Sequence, residues 1–469
     1  MTKKETAPLY REYGQDDSGD KNFLSLSFFI LRSFQQGCCR SKKTKIRKIR
    51  FPLSKRDPKE IMKTICKLVI LALLFPNVSY ALVQVGLERV FQEEKYLEKI
   101  RGKRVALISH SAAINRQGEH SLCVFNKHKG VCKLSALCTL EHGYFGASIA
   151  ETPGYDPILE DIPVISLFAS KEIPAEVIEA CDVFVYDVQD IGVRSYSFIS
   201  ALLQVVKASA SSKKELIVLD RPNPMGGNLV DGPLPDKEAF PAIPYCYGMT
   251  PGELALLYRA RYAPNASVTV VPMQGWKRSM IFADTGLIWV PTSPQIPDAQ
   301  SAYFYATTGI IGALSVTNIG IGYTLPFKVL GAPWMDGCKV AQELNKARLP
   351  GVHFLPFMYE PFFGKFKMEM CSGVLVVLQD PKQFLPMETQ SVILGVLKTL
   401  YPKEVEQAFL LLDRLVPRRK AIQNLLGHSE FLNVCLHKKY ITWPLRTMCA
   451  EGRKQFIEQR QPFLLPEYA

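Results

Sequence analysis

The sequence contains no Cys-x-x-Cys pair and no Cys/His spacing of the kind that holds a structural zinc ion. It also lacks GxxxxGK[ST], GxGxxG and GxSxG, the signatures of a phosphate loop, a dinucleotide-binding turn and a serine-hydrolase elbow. No metal and no cofactor is therefore expected. The apolar run at 68–75 is too short to cross a bilayer. A basic folded body is missing as well. The formal net charge is +13, but residues 1–61 carry 15 Lys/Arg against 7 Asp/Glu, and the residues beyond 81 carry 40 against 37. A nucleic-acid footprint needs Lys and Arg concentrated on the folded part, so no nucleic-acid partner is expected.

The basic excess sits in a leader. From Met62 the chain reads MKTICKLVILALLFPNVSYA, with a basic start, an apolar core and small residues at Ser79 and Ala81, where a signal peptidase reads. Residues 62–81 are thus expected to be a signal peptide cleaved near Ala81. The mature form would be exported, periplasmic or secreted, with no stable membrane insertion. Residues 1–61 read as a basic low-order leader or a mis-assigned start, translation beginning at Met62. Of twelve cysteines, Cys38, Cys39 and Cys66 fall in this leader, leaving nine. An odd number leaves at least one thiol unpaired. Cys123 and Cys132, flanking a polar loop, are the expected disulfide, and Cys181 and Cys371 read as core residues.

What is present is a run of short apolar segments. LCTL, VFVY and LIVL have the length and β-branched or aromatic content of buried strands, and they alternate with helical stretches. That pattern implies an α/β fold: a Rossmann-like parallel-sheet N-terminal domain with a second, smaller α/β or α+β domain. A helix is expected over 86–97, with strands at 104–109, 162–168, 183–186 and 216–219 and helices at 174–180 and 197–208. Prolines and glycines from 222 to 244 place the boundary, giving a catalytic domain at 82–240 and a domain at 241–469 that completes the cleft. In the latter, Thr250, Pro251 and Glu253 form a capping box that explains Glu253 better than catalysis does. A strand at 268–272, a long loop-rich region from 275 to 334, a helix at 338–347, a strand at 373–378 and helices at 389–400 and 403–413 follow.

Each of the three runs ends in polar residues, and parallel sheets bind ligands at the carboxyl ends of their strands. The three clusters therefore point to one crevice. Glu141, followed by His142 and Gly143, is partly desolvated at an apolar strand end, which suits a general acid; a capping carboxylate is the plainer alternative. Asp187, Gln189, Asp190, Arg194 and Tyr196 bring two carboxylates, an amide, a guanidinium and a phenol to the second strand end. So many polar groups are hard to satisfy without a ligand, although an internal Asp–Arg pair capping the next helix would use some of them. Asp220, Arg221 and Asn223 are aimed by two prolines, or else Asp220 and Arg221 pair with each other in a stiff turn. Trp276, Trp289, Tyr303, Tyr305 and Tyr323 supply aromatic faces suited to the C–H faces of a sugar, and equally to a core.

Taken in order, LEHG, YDVQDIGVRSYSF, LDRPNPMGG, YGMTPGELA, GWKRSM, W-x-x-x-SPQIP, GYTLPF-x-x-x-GAPW and CSGV resemble the exo-β-N-acetylmuramidase family, from about Val85 to the C-terminus. The resemblance implies an exported hydrolase that removes N-acetylmuramic acid from the non-reducing ends of peptidoglycan fragments, taking a peptidoglycan-derived sugar or muropeptide as substrate. The family's conserved Glu falls on Glu141, the expected general acid, with Asp187 or Asp190 as base or as orienter of the substrate's N-acetyl group. Arg194 or Arg221 would hold the lactyl carboxylate. His142, Gln189, Tyr196, Asp220, Asn223, Trp289 and Tyr323 complete the expected substrate-binding set. The sequence departs from the family pattern at His110 and Tyr247, where Asn and His are usual, at Gln295 in SPN, and at Ile319–Gly322, where a Glu-Gly-Arg-Gly stretch is usual. A non-catalytic peptidoglycan-binding protein derived from such an enzyme is the alternative.

Overall fold

The computed structural model describes residues 83–469 apart from 149–155, 157–158, 160–161, 169, 171, 237–240 and 415. The expected leader and signal peptide, with Cys38, Cys39 and Cys66, lie outside the described residues. Six apolar segments form one parallel sheet: β1 (Arg104–Ser109), β2 (Lys133–Thr139), β3 (Val164–Ser166), β4 (Val183–Asp187), β5 (Glu215–Leu219) and β6 (Val268–Val271). Their order is β3-β2-β1-β4-β5-β6. All five residues of β4 are buried, as expected of a strand covered by helices on both faces. Strand order reverses between β1 and β4, where Ser109 stands in register with Asp187, so a crevice opens at their carboxyl ends.

Several boundaries differ from expectation. The helix expected over 86–97 is two, α1 (Gly86–Gln92) and α2 (Glu94–Ile100), because Glu93 between them takes an extended conformation. Val90 and Ile100 both reach the core as a result. α3 (Ser121–Lys127) and α4 (Ala175–Ala180) are short, whereas α5 (Phe198–Ser212) is the long helix after β4. α6 (Pro251–Tyr262) starts at the expected capping box: Glu253 N–H donates to Thr250 Oγ1 (3.3 Å) and Thr250 N–H to Glu253 Oε2 (3.1 Å). α6 and β6 complete the parallel sheet, so the first sheet runs beyond the boundary expected at 240. The turn-rich segment is an excursion within that domain, and the strand that follows still finds β5.

The second domain is α+β. β7 (Val329–Ala332), β8 (Val352–Tyr359) and β9 (Cys371–Leu378) form an antiparallel sheet in the order β7-β9-β8. Around it lie α7 (Ser301–Ala313), α8 (Gly337–Lys346), α9 (Pro386–Leu400), α10 (Pro402–Arg414), α11 (Val416–Leu426), α12 (Ser429–His437) and α13 (Thr442–Gln459). α7 and β7 fall in the stretch expected to be loop. The α7 sequence SAYFYATTGIIGA has no charged face, so it shows no amphipathic stripe, and the helix is largely buried. The chain then returns to the first domain. Arg460 Nη1 donates to Gly227 O (2.8 Å), and Tyr468 Oη donates to Asp220 Oδ2 (2.6 Å).

The expected Cys123–Cys132 disulfide is not formed, and both thiols are free. Cys123 is exposed on α3, whereas Cys132 is buried in the core cluster beside β2. Among the described residues no helix is long and apolar enough to cross a membrane.

Candidate active site

β2 delivers its chain to a turn in which His142 and Gly143 both adopt positive φ (71° and 74°). Gly143 N–H donates to Leu140 O (3.1 Å), and His142 Nδ1 lies 2.7 Å from Ser148 O. This turn carries Glu141 to the rim of the sheet. There Ser197, at the start of α5, donates from Oγ to Glu141 Oε2 at 2.5 Å. Side chains from two sequence-distant elements thus meet at one carboxylate, which is only partly buried.

Glu141 opens onto a cavity of about 340 Å³ between the two domains. The first domain contributes His142, Ser195, Tyr196 and Ser197, together with the SPQI loop at 293–296. The second domain closes it with Tyr305 from α7, Ile321 and Phe327 from the loop before β7, and Phe363 from the β8–β9 hairpin. Tyr196 Oη donates to Thr292 Oγ1 (2.9 Å), and the Tyr196 and Tyr305 rings meet edge to face with centroids 6.1 Å apart. Ser195 Oγ bridges Tyr245 Oη (2.7 Å) and Tyr305 Oη (3.1 Å). Burial pushes the Tyr196 and Tyr305 phenols up from their ordinary value, so both stand in the wall as neutral hydroxyls. The result is a carboxylate, several hydroxyls, an amide and aromatic faces around a space open to a ring-sized polar ligand.

Of the expected site residues, Glu141, His142 and Tyr196 line this cavity and the others do not. Arg221 grips Asp187 through Nε–Oδ1 (2.5 Å) and Nη2–Oδ2 (3.0 Å), both side chains buried, and its Nη1 donates to Ile114 O (2.8 Å). Gln189 is likewise engaged within the protein. Its N–H donates to His110 Nε2 (3.0 Å), and its Nε2 donates to Asp190 O and Pro222 O (both 2.9 Å). These groups fill the crevice at the β1/β4 reversal with the protein's own side chains. Burial holds His110 neutral, its pKa lowered to about 3, so Nε2 is free to accept.

Asp190 lies behind the tyrosines. Its Oδ2 accepts from Gly192 N–H (2.7 Å) and from Tyr247 Oη, its Oδ1 is buried without a partner, and burial pushes its carboxyl up to about 6 against the Tyr247 hydrogen bond. Arg194 points away toward the end of α11, where Nη2 donates to Leu425 O (3.3 Å) and Leu426 O. Burial lowers its pKa to about 10. Asp220 caps α6: it accepts from Gly252 N–H (2.8 Å), Thr250 Oγ1 (2.7 Å) and Tyr468 Oη (2.6 Å), with burial pushing it up to about 7. Asn223 closes its own turn through Met225 N–H (3.0 Å) and Met249 O (3.1 Å). Trp289 packs edge-on against Phe282, and Tyr323 packs against Tyr359 in a separate cluster. Lining residues absent from the expected set include Ser195, Ser197, Ser293, Gln295, Ile321, Phe327 and Phe363. The SPQIP and GYTLPF strings flank or contain four of them, and that proximity was the available signal.

Among the described residues no group of three or more His, Cys, Asp or Glu side chains has metal-ligand geometry. The comparisons with known proteins agree with this architecture. "Exo-beta-N-acetylmuramidase NamZ, N-terminal" matches residues 105–300, and "Exo-beta-N-acetylmuramidase NamZ, C-terminal" matches residues 303–465. The peptidoglycan β-N-acetylmuramidase NamZ of Bacillus subtilis (strain 168) is 34% identical over 332 residues, 69% of this chain and 79% of that protein. A crystal structure of a DUF1343 family protein from Bacteroides fragilis NCTC 9343 superposes with a TM-score of 0.73 at 31% identity, covering 82% of this chain and 98% of the other. A second DUF1343 structure from the same organism, at 23% identity and a TM-score of 0.59 over the same shares, shares the fold. With both halves matched in order and the relative covered over most of its length, this chain belongs to the exo-β-N-acetylmuramidase NamZ family.

Proposed function

We propose that the protein is an exo-acting glycoside hydrolase that releases N-acetylmuramic acid from the non-reducing ends of peptidoglycan fragments, with Glu141 as the general acid. The observation that carries this reading is the Glu141 carboxyl group at the wall of an interdomain cavity, held there by Ser197 and faced by aromatic rings. Protonation of a leaving glycosidic oxygen needs a carboxyl group at hydrogen-bonding reach of the scissile bond. Membership of the NamZ family supplies the substrate class. Asp187 and Asp190 are better read as structural, since Arg221 occupies both oxygens of Asp187 and Asp190 is screened by Tyr247. The group that attacks the anomeric carbon then comes from water or from the substrate's own N-acetyl oxygen. Residues 62–81 would direct the enzyme out of the cytoplasm.

The test is turnover of a chromogenic aryl N-acetylmuramide. Wild-type protein is expected to release the aryl group, and a folded Glu141→Gln variant is expected to lose that activity. Binding of muropeptides without turnover, equally strong in both proteins, would instead establish the non-catalytic alternative.

A further inference from the structure

The second domain carries a groove that the reaction at Glu141 does not use. A cavity of about 460 Å³ lies among α9, α10, α12 and the link to α13, and another of about 190 Å³ adjoins it, the two sharing Glu406, Leu436 and His437. Among the described residues, none lines both this groove and the cavity at Glu141. The two ends of the groove differ in character. Lys398, Lys438 and Lys439 stand at one end beside the exposed Tyr440, whereas Phe409 and Leu410 line the other.

Lys398 is the residue that packing alone does not explain. It is only 6% exposed, yet it lines the larger cavity. Its Nζ donates to Cys435 O in the last turn of α12 (2.7 Å) and lies 5.5 Å from the centroid of the Phe409 ring. An ammonium has three N–H groups to place, and that carbonyl takes one. Among the described residues no carboxylate comes within ion-pair distance of it. Burial pulls its pKa below the ordinary lysine value, and Glu406 opposes that only from further off. Lysines are almost never fully buried unless paired, so a buried ammonium facing a cavity is suited to receive an anion. Lys438 and Lys439 add two exposed positive charges to the same wall.

We infer that this groove binds an acidic peptide, the stem that peptidoglycan fragments carry on the lactyl group, at a site separate from the catalytic one. The inference rests on the glycosidase reading above, which supplies the wall fragment as the source of the peptide. Such a stem carries carboxylates on its glutamyl and diaminopimelyl residues, one free amine, and the methyl groups of alanine. Each has a counterpart here. The carboxylates meet Lys398 and the lysine pair, the amine meets Glu406 where the two cavities join, and the methyl-bearing part lies against Phe409 and Leu410. A single sugar ring would occupy one cavity, whereas an extended chain occupies two that share a wall. Lys398, out of water, supplies most of the affinity; Lys438 and Lys439, in water and screened by salt, chiefly steer the peptide in.

Isothermal titration calorimetry of the full chain with N-acetyl-L-alanyl-γ-D-glutamyl-meso-diaminopimelate, whose acetyl group replaces the lactyl amide, tests this with no sugar present. The wild type is expected to bind the peptide, and to bind its carboxyl-amidated form about tenfold more weakly, the scale of one lost charge-assisted hydrogen bond. Lys398→Met, which keeps the chain length and removes the charge, should weaken binding by the same factor. That change also removes the contact with Cys435 O, so the double variant Lys438→Gln/Lys439→Gln, altered only at exposed positions, stands beside it; it should bind about threefold more weakly, a difference that closes at high salt. No binding by the wild type, equal binding of the amidated peptide, or unchanged affinity in a folded Lys398→Met would overturn the assignment. If Lys398→Met does not fold, unchanged affinity in the double variant overturns it. Inorganic phosphate binding as tightly as the peptide would do so too, leaving a plain anion site. Turnover of an aryl muramide is read separately: a wild type that binds the peptide and cleaves nothing keeps the peptide site and loses the glycosidase reading, and the converse result removes the peptide site alone.

Discussion

Arg221 and Asp187 form a two-pronged ion pair across the carboxyl ends of β5 and β4, with Nε–Oδ1 at 2.5 Å and Nη2–Oδ2 at 3.0 Å and both side chains buried. Two residues that the sequence offers as catalytic and substrate-binding groups therefore consume each other. Their work is to lock adjacent strand ends and, through Arg221 Nη1, the loop at Ile114. Removing one partner of a buried pair strands the other charge and costs about 3–5 kcal/mol. Asp187→Leu and Arg221→Met should each lose stability on that scale in chemical denaturation, while the Asp187→Leu/Arg221→Met double variant should lose less than their sum. Activity per folded molecule should fall far less than in Glu141→Gln; a catalytic Asp187 would give the reverse.

Arg194 is expected to behave as a helix anchor rather than as a ligand for a lactyl carboxylate. It caps the carbonyl end of α11, and its charge-assisted hydrogen bonds are worth about 2 kcal/mol. Arg194→Met should lower the denaturation free energy by that amount. The ratio of KM values for a muramide and the matching glucosaminide should not move. A selective loss of muramide affinity would contradict the assignment.

Ser197 positions Glu141 without capping its own helix, since its side chain makes no cap hydrogen bond. Ser197→Ala should therefore lower kcat on an aryl muramide about tenfold, the factor expected for a misoriented acid rather than a missing one. KM and melting temperature should stay close to wild type. A matching loss of melting temperature would make the residue merely structural.

Two buried groups shape the pH dependence of stability with opposite signs. His110 has its pKa lowered to about 3 in the folded protein, so on acidification from about 6.5 the unfolded chain takes up a proton that the native state refuses. Stability should fall as pH drops through that window, and His110→Asn, which can still accept from Gln189 N–H, should remove that share of the loss. Asp220 is pushed up to about 7, so the native state holds its proton more tightly than the unfolded chain does. Its contribution is present at low pH and is lost as pH rises through about 7. Denaturation midpoints at several pH values, in wild type, His110→Asn and Asp220→Asn, check the two in turn; a variant whose profile matches the wild type would refute the corresponding contribution.

The parallel sheet was readable because buried strands write themselves as apolar runs, and the carboxyl ends of β2, β4 and β5 do gather at one edge. What the sequence could not convey is which polar groups at that edge satisfy one another. Asp187 and Arg221 are 34 residues apart and Gln189 and His110 are 79 apart, so their pairing depends on the register of β1, β4 and β5. Glu141 stands just beyond the end of β2, where it accepts from the Ser197 hydroxyl rather than from a strand-end arginine. The second domain's share of the cavity was less legible still. α7 carries no polar stripe, and Phe363 sits in a hairpin whose partner strand, β8, mixes apolar residues on both faces. Tyr305 could be named only as one aromatic among several.

The central claim is that Glu141 is the acid of a muramidase, and one steady-state measurement tests it most directly. Release of the chromogenic group from an aryl N-acetylmuramide should be readily measured for the wild type and should fall by about 10²–10⁴ in Glu141→Gln, the range that general acid catalysis contributes, with the melting temperature preserved. Wild-type turnover that survives the substitution within a few-fold would contradict the account.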